Sequence, residues 1–193
     1  MAVADPGEGN DPFPLRGSVK AVASDAHHRF GKQTKKQITI IAGYGVEGDA
    51  HAGQFIKHRY LMKTTPQLLN NRQVHLIASE LFEEVAETGF VVGPGQLGEN
   101  VTTAGLELGR LPLGCRLHLG PTSVVEITGL RTPCGLIDRF QKGLKRAMIA
   151  AKSARPRFRC GVLGVVLQNG VVTIGDRVRV ELPPAPWRDL PAL

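Results

Sequence analysis

At 193 residues, the chain has the length of one domain and hides roughly two-thirds of its unfolded surface on folding, so no metal or disulfide staple is required. No run of about 18 apolar residues argues for a membrane span, and Met1 to Pro14, with Asp5, Glu8 and Asp11, lacks the basic start and apolar stretch of a secretion signal. The net charge of +7 is unevenly placed: Arg131 to Cys160 holds nine basic residues against one acid, Asp138, and offers itself to phosphate.

Glycine at 23 positions and proline at 13 punctuate short segments rich in Val, Ile and Leu, the pattern of a mainly β chain. In chain order, strands are expected at 17–23, 37–43, 72–78, 100–103, 116–120, 122–129, 162–167 and 176–182. This set of short strands suits a closed barrel or a sandwich. A helix is expected at 79–89, where Leu81, Phe82 and Val85 pack on the barrel and Gly89 ends the run. A second is expected from about Gly135 to Ala151, where Leu136, Ile137, Phe140, Leu144 and Met148 recur at helical spacing. Asn169-Gly170 is the strongest hairpin signal, because both residues tolerate the positive φ of a tight turn. A flexible leader over 1–16 and a proline-rich surface tail over 183–193 flank a domain over 17–182.

The three cysteines, Cys115, Cys134 and Cys160, are spaced too widely for a local bridge or a CxxC zinc knuckle, which points to a reducing, cytoplasmic setting. Cys134 stands at the entrance of the second expected helix. The positive end of the helix dipole and Arg131, three residues earlier, favour its thiolate, and Pro133 stiffens the approach. The competing reading for any cysteine is a small buried hydrophobe, which fits Cys115 best and leaves Cys160 a weak second candidate.

Two glycine-rich loops stand beside it. In Gly43 to Gly53, Glu47, Asp49 and His51 alternate and project together if the segment is extended; the alternative is a turn capped by aspartate. In Gly93 to Val101, Glu99 and Asn100 lead into a strand, and the Asn100 amide offers both a donor and an acceptor to a heterocycle. Arg72 either binds an anion or caps the sheet, and His75 reads as structural. GxxxxGKS, GxGxxG, GxSxG and HExxH motifs are all absent, and with one Trp and two Tyr the chain is poor in bases' stacking partners.

In order, GVEGDAHAG (45–53), RQVHLIASE (72–80), PGQLGENVTTAGLELGRLPLGCRLHLG (94–120), VVEITGLRTPC (124–134) and GVLGVVLQNGVVTIGDRVRV (161–180) resemble the MOSC domain, named for the C-terminal part of molybdenum cofactor sulfurases. The resemblance covers about 17–182 and implies a closed β-barrel with a few peripheral α-helices that binds molybdenum cofactor (molybdopterin) beside one cysteine. It implies that Cys134 ligates molybdenum or carries sulfur as a persulfide, that Asp49 and His51 face metal or substrate, and that Glu99 and Asn100 lie near the pterin. Arg72, Arg131, Arg155 and Arg159 become candidates for the cofactor phosphate. The pyridoxal-phosphate desulfurase region of the full sulfurase and the ferredoxin-type cysteines of fused reductases have no counterpart, so electrons or sulfur come from separate donor proteins.

Three functions follow as expectations: a molybdenum-dependent reductase of N-hydroxylated small molecules, a sulfur or cofactor carrier without turnover, and, least favoured, a nucleic-acid-binding barrel using the 131–160 patch.

Overall fold

The computed structural model describes residues 14–57, 67–150, 156 and 158–193. Eleven strands occur among them: β1 (Arg16–Ser24), β2 (Gln33–Lys35), β3 (Gln37–Ile41), β4 (Gly45–Val46), β5 (Val74–Ala78), β6 (Val101–Ala104), β7 (Arg116–Leu119), β8 (Ser123–Leu130), β9 (Val162–Gln168), β10 (Gly170–Thr173) and β11 (Arg177–Glu181). Three helices accompany them: α1 (Glu80–Ala86), α2 (Gly135–Phe140) and α3 (Leu144–Ala147).

Seven strands close a barrel. The order β11-β7-β8-β9-β5-β6-β1 returns on itself because β1 also pairs with β11, through Gly17 opposite Val178. Closure leaves no barrel edge to pair with another chain. Every pairing around the ring is antiparallel except β5–β6, which is parallel with Leu76 opposite Val101. A parallel neighbour cannot be reached by a tight hairpin, and the crossover is the segment carrying α1, whose Leu81 and Val85 are buried. Alternate inward residues, among them Val22, Leu76, Val101, Leu117, Val125, Val162 and Val178, fill the barrel. A second apolar core outside it joins Ile77, Leu81, Val85, Leu97, Ile137, Leu144, Met148 and Cys160.

All eight expected strands are present, and the fold is the mainly β barrel expected. Three local readings change. Asn169-Gly170 makes no hairpin: neither residue has positive φ, and β10 leaves β9 to pair with β3 in a separate sheet, Gly170 opposite Ile40. The Asn169 side chain instead accepts from the Ala42 amide at 2.6 Å, and a Cβ on Gly170 would meet Thr122 Oγ1 at 2.5 Å, so glycine serves close approach here. The helix expected over 135–151 is broken. Gln141 is extended and Gly143 has φ 92°, which splits α2 from α3. Finally, the proline-rich segment after 182 is docked: Leu190 is buried, and Leu130 pairs with Ala192 in a parallel bridge. At the other end, residues 1–13 lie outside the described part, while Leu15 already accepts from Val180 N at 2.9 Å and Arg16 opens β1.

Candidate functional site

After β8 the chain runs through Arg131-Thr132-Pro133 to Cys134, the residue that precedes α2. Both sides of this loop are pinned. Arg131 N donates to Gly161 O at 3.0 Å, and Thr132 N and Oγ1 donate to Leu193 O at 3.0 and 2.7 Å. Cys134 is thus presented half-buried from a fixed turn, with Arg131 Nη2 at 3.9 Å from its sulfur. Helix α2 spans only six residues, so the guanidinium, more than any helix dipole, is the charge that faces the thiol. Arg131 Nη1 is buried with no hydrogen-bond partner among the described residues. An unsatisfied buried donor of this kind costs about 1–3 kcal/mol, which a bound anion would return.

Cys134 opens on a cavity of about 240 Å³. Arg29, Lys32, Lys57, Arg72 and Arg131 line it, with no aspartate or glutamate among its described lining residues. Burial and the like charge of Arg131 both lower the pKa of Arg72. Burial, then Arg131, likewise hold His75 well below its ordinary range, so this ring is neutral. Positive charge therefore crowds the cavity, and of the basic 131–160 segment only Arg131 contributes among the described residues. Phe30 and Leu136 form an apolar side, with Phe30 stacked on Phe140 at 5.7 Å between centroids.

Asp49 sits behind this wall. Its carboxylate accepts from Lys32 Nζ at 2.7 Å, from Asn100 Nδ2 at 3.1 Å and from the His51 amide at 2.9 Å, and His51 Nδ1 lies 3.3 Å away. Burial pushes its pKa up, but the His51 and Lys32 interactions outweigh that and hold it well below the usual carboxylate range. Facing a carboxylate, His51 Nδ1 is the donor of this pair, and Nε2 is the ring nitrogen turned away from it. Asn100 is committed within the protein: Nδ2 also donates to Ala23 O at 3.2 Å, and Oδ1 accepts from His75 N at 3.2 Å.

The expected residues therefore divide. Cys134, Arg131, Arg72, His51 and Asn100 converge on the cavity. Asp49 buttresses it. Glu99 is turned into its own loop, fully buried, accepting from Gly95 N, from Leu97 N at 3.2 Å and from Thr102 Oγ1 at 3.3 Å. Lys32 packs on that loop, its amide donating to Gly95 O at 2.7 Å, so Glu99 shapes the site from one step away. Glu47 does not project with Asp49 and His51; it is exposed and borders a different depression. Arg159 pairs with Glu84 on a separate, larger groove of about 720 Å³, where Glu80 and Glu107 offset the cations and no cysteine lines the wall. Arg155 lies outside the described residues. Sequence reasoning missed Lys32, Asn70, Phe30 and Leu193, and His75, read as structural, proves to line the cavity while its Nε2 donates to Cys160 O at 2.8 Å. Among the described residues no helix is long and apolar enough to cross a membrane, and no cluster of His, Cys, Asp and Glu forms a metal site.

The MOSC domain model matches residues 47–179. The fold is similar to that of the YuaD protein from Bacillus subtilis, with a TM-score of 0.71 and 20% identity over 88% of this chain and 98% of that one. YiiM from Escherichia coli gives 0.62 and 18% over 90% and 73%, and YiiM from Geobacillus stearothermophilus gives 0.57 and 18% over 88% and 75%. At such identities the likeness concerns the fold alone. No curated protein matches the sequence. With its family model spanning most of the barrel and the Cys134 loop, the chain belongs to the MOSC domain family, a family associated with molybdenum-cofactor binding.

Proposed function

We propose that the Cys134 cavity binds molybdenum cofactor, with Cys134 as the protein ligand to the metal, and that the protein reduces N-hydroxylated small molecules such as a hydroxylamino purine or an amidoxime. The observation that carries this reading is Arg131, which turns one guanidinium nitrogen toward the thiol and leaves another buried without a partner. A site that gathers cations with no acid in its lining suits an anionic, phosphate-bearing ligand. The cavity is small for a pocket that encloses a whole ligand, and Phe30 and Leu136 would offer an apolar surface to the part left outside it.

Molybdenum, when bound, supplies the two-electron chemistry. Arg72 and Arg131 would hold the cofactor phosphate, Asn100 and Lys32 would keep the wall in register, and His51 Nε2 would exchange a proton with substrate oxygen while Asp49 orients the ring. A separate donor protein provides electrons in the cytoplasm. Metal and pterin analysis of protein purified from cofactor-replete cells tests the proposal. Stoichiometric molybdenum that is lost in Cys134→Ala is the expected result; wild-type protein devoid of molybdenum overturns it.

A second reading, in which Cys134 carries sulfane sulfur without turnover of an organic substrate, is favoured by one observation: Cys160 lies on the other side of the same arginine.

A further inference from the structure

The first reading leaves Cys160 without a role and the second uses only its nearness to Arg131, yet its surroundings are specific. It ends the connection that leads into β9, fully buried, and its thiol donates to the Arg131 carbonyl at 2.8 Å. Burial pushes the pKa of the Cys160 thiol up, and the positive charge of Arg131 offsets this only in part. Cys134 packs against the second core, of which Cys160 is a member. Two thiols from different segments therefore share one arginine, Cys134 through its guanidinium and Cys160 through its backbone carbonyl. Cys115 lies apart, sealed in the barrel core, where burial pushes its pKa up to about 12. Cys160 is anchored by its own carbonyl, which accepts from His75, and by Gly161, whose positive φ and contact with Leu76 and His75 leave no room for a side chain. Any movement that joins the sulfurs falls on Cys134 itself, beyond the hydrogen bonds that pin Arg131 and Thr132.

We propose that Cys160 is the resolving thiol of Cys134: it discharges a sulfane sulfur carried on Cys134 as hydrosulfide and leaves a Cys134–Cys160 disulfide. The inference rests on the second reading, in which Cys134 takes up sulfur. The Cys160 sulfur bonds to the inner sulfur of the Cys134 persulfide, the persulfide S–S bond breaks, and the outer sulfur departs with the electron pair of that bond and the proton given up by Cys160. Counted as zero-valent, the outer sulfur gains two electrons, and the two thiols lose two in becoming a disulfide. No other oxidant enters, since the oxidising equivalents arrive with a low-molecular-weight persulfide or polysulfide, and a dithiol reductant returns the pair to thiols. The Arg131 guanidinium, with Nη2 at 3.9 Å from the Cys134 sulfur, stabilises the anionic leaving group.

The test uses the full chain, reduced and then treated with inorganic polysulfide, with free sulfide and intact mass followed after excess reagent is removed. Wild-type protein is expected to release stoichiometric sulfide and end two hydrogens lighter than its reduced form, with the bridge mapped to peptides containing Cys134 and Cys160. Cys160→Ser keeps the hydrogen bond to the Arg131 carbonyl and Cys160→Ala removes it; both are expected to retain the added sulfur on Cys134 and release none. Equal release from wild type and both variants, or a wild-type persulfide that never discharges, overturns the proposal while leaving sulfur uptake by Cys134 intact. A Cys134 that takes up no sulfur in any of the proteins overturns the second reading and the resolving role together.

Discussion

Lys32 and Asp49 meet at 2.7 Å with both side chains almost sealed from solvent. Burial lowers the Lys32 pKa more than Asp49 restores it, so the lysine side is costly and the carboxylate, also clasped by Asn100 and His51, makes the pair tenable. Removing one partner of such a pair destabilises a protein by about 3–5 kcal/mol, whereas replacing both comes close to neutral. Lys32→Met is expected to lower stability by about that amount in urea unfolding, and adding Asp49→Asn to recover most of it. The Asp49 pKa is depressed on folding, so its contribution is complete above the unfolded value of about 3.9 and is lost as pH falls through the folded one. Wild-type stability should thus decline steeply below about pH 4, and the double variant should show a shallower decline over the same titration. Asp49 was legible from its glycine-rich loop, but Lys32 was not. Nothing local in Phe30-Gly31-Lys32 distinguishes a surface lysine from one buried against a carboxylate. Its burial comes from the Gly95 and Gly98 loop packed on it, a contact distant in sequence.

At the scale of elements, residues 191–193 behave as a short extra strand. Leu130 N donates to Pro191 O and Leu193 N to Leu130 O, both at 2.8 Å. Gly129 makes this possible: a Cβ there would stand 2.6 Å from Pro191 O and 2.7 Å from the Leu193 side chain. Gly129→Ala must displace something, and the segment held by the fewest contacts is the one to move. Hydrogen exchange should quicken at the Leu130 and Leu193 amides in this variant with the β8–β9 ladder unchanged, and iodoacetamide should reach Cys134 faster; unchanged exchange at both amides would refute the strap. The proline content of 183–193 concealed this, because proline signals an irregular path and says little about whether that path is packed. The broken helix was hidden for a related reason. Ile137, Leu144 and Met148 keep helical spacing and are all buried, yet the chain resets at Gly143, which packs near Phe90. Periodicity reports the buried face and is blind to a left-handed glycine between two turns.

For the whole molecule, alternation and turn residues made the barrel strands legible, and the ordered motifs identified the family. What could not be read was which cations face Cys134. The sequence concentrates them at 131–160, whereas the described pocket draws on Arg29, Lys32, Lys57 and Arg72, brought to one rim by barrel closure. Because these contributors come from separate loops that join different strands, an anion in the pocket should stabilise the barrel as a unit. Inorganic phosphate at low ionic strength is expected to raise the thermal midpoint, by about 2.7 kcal/mol of stabilisation at a hundredfold excess over its Kd. Added salt should erode the gain, and Arg131→Ala should remove most of it.

Leu193 lines the same cavity as Lys32, two walls that the sequence sets 161 positions apart. Neither segment makes a receptacle by itself, so the hollow comes into being with barrel closure and vanishes with it. Fraying of either wall should therefore empty the cavity before the barrel core melts.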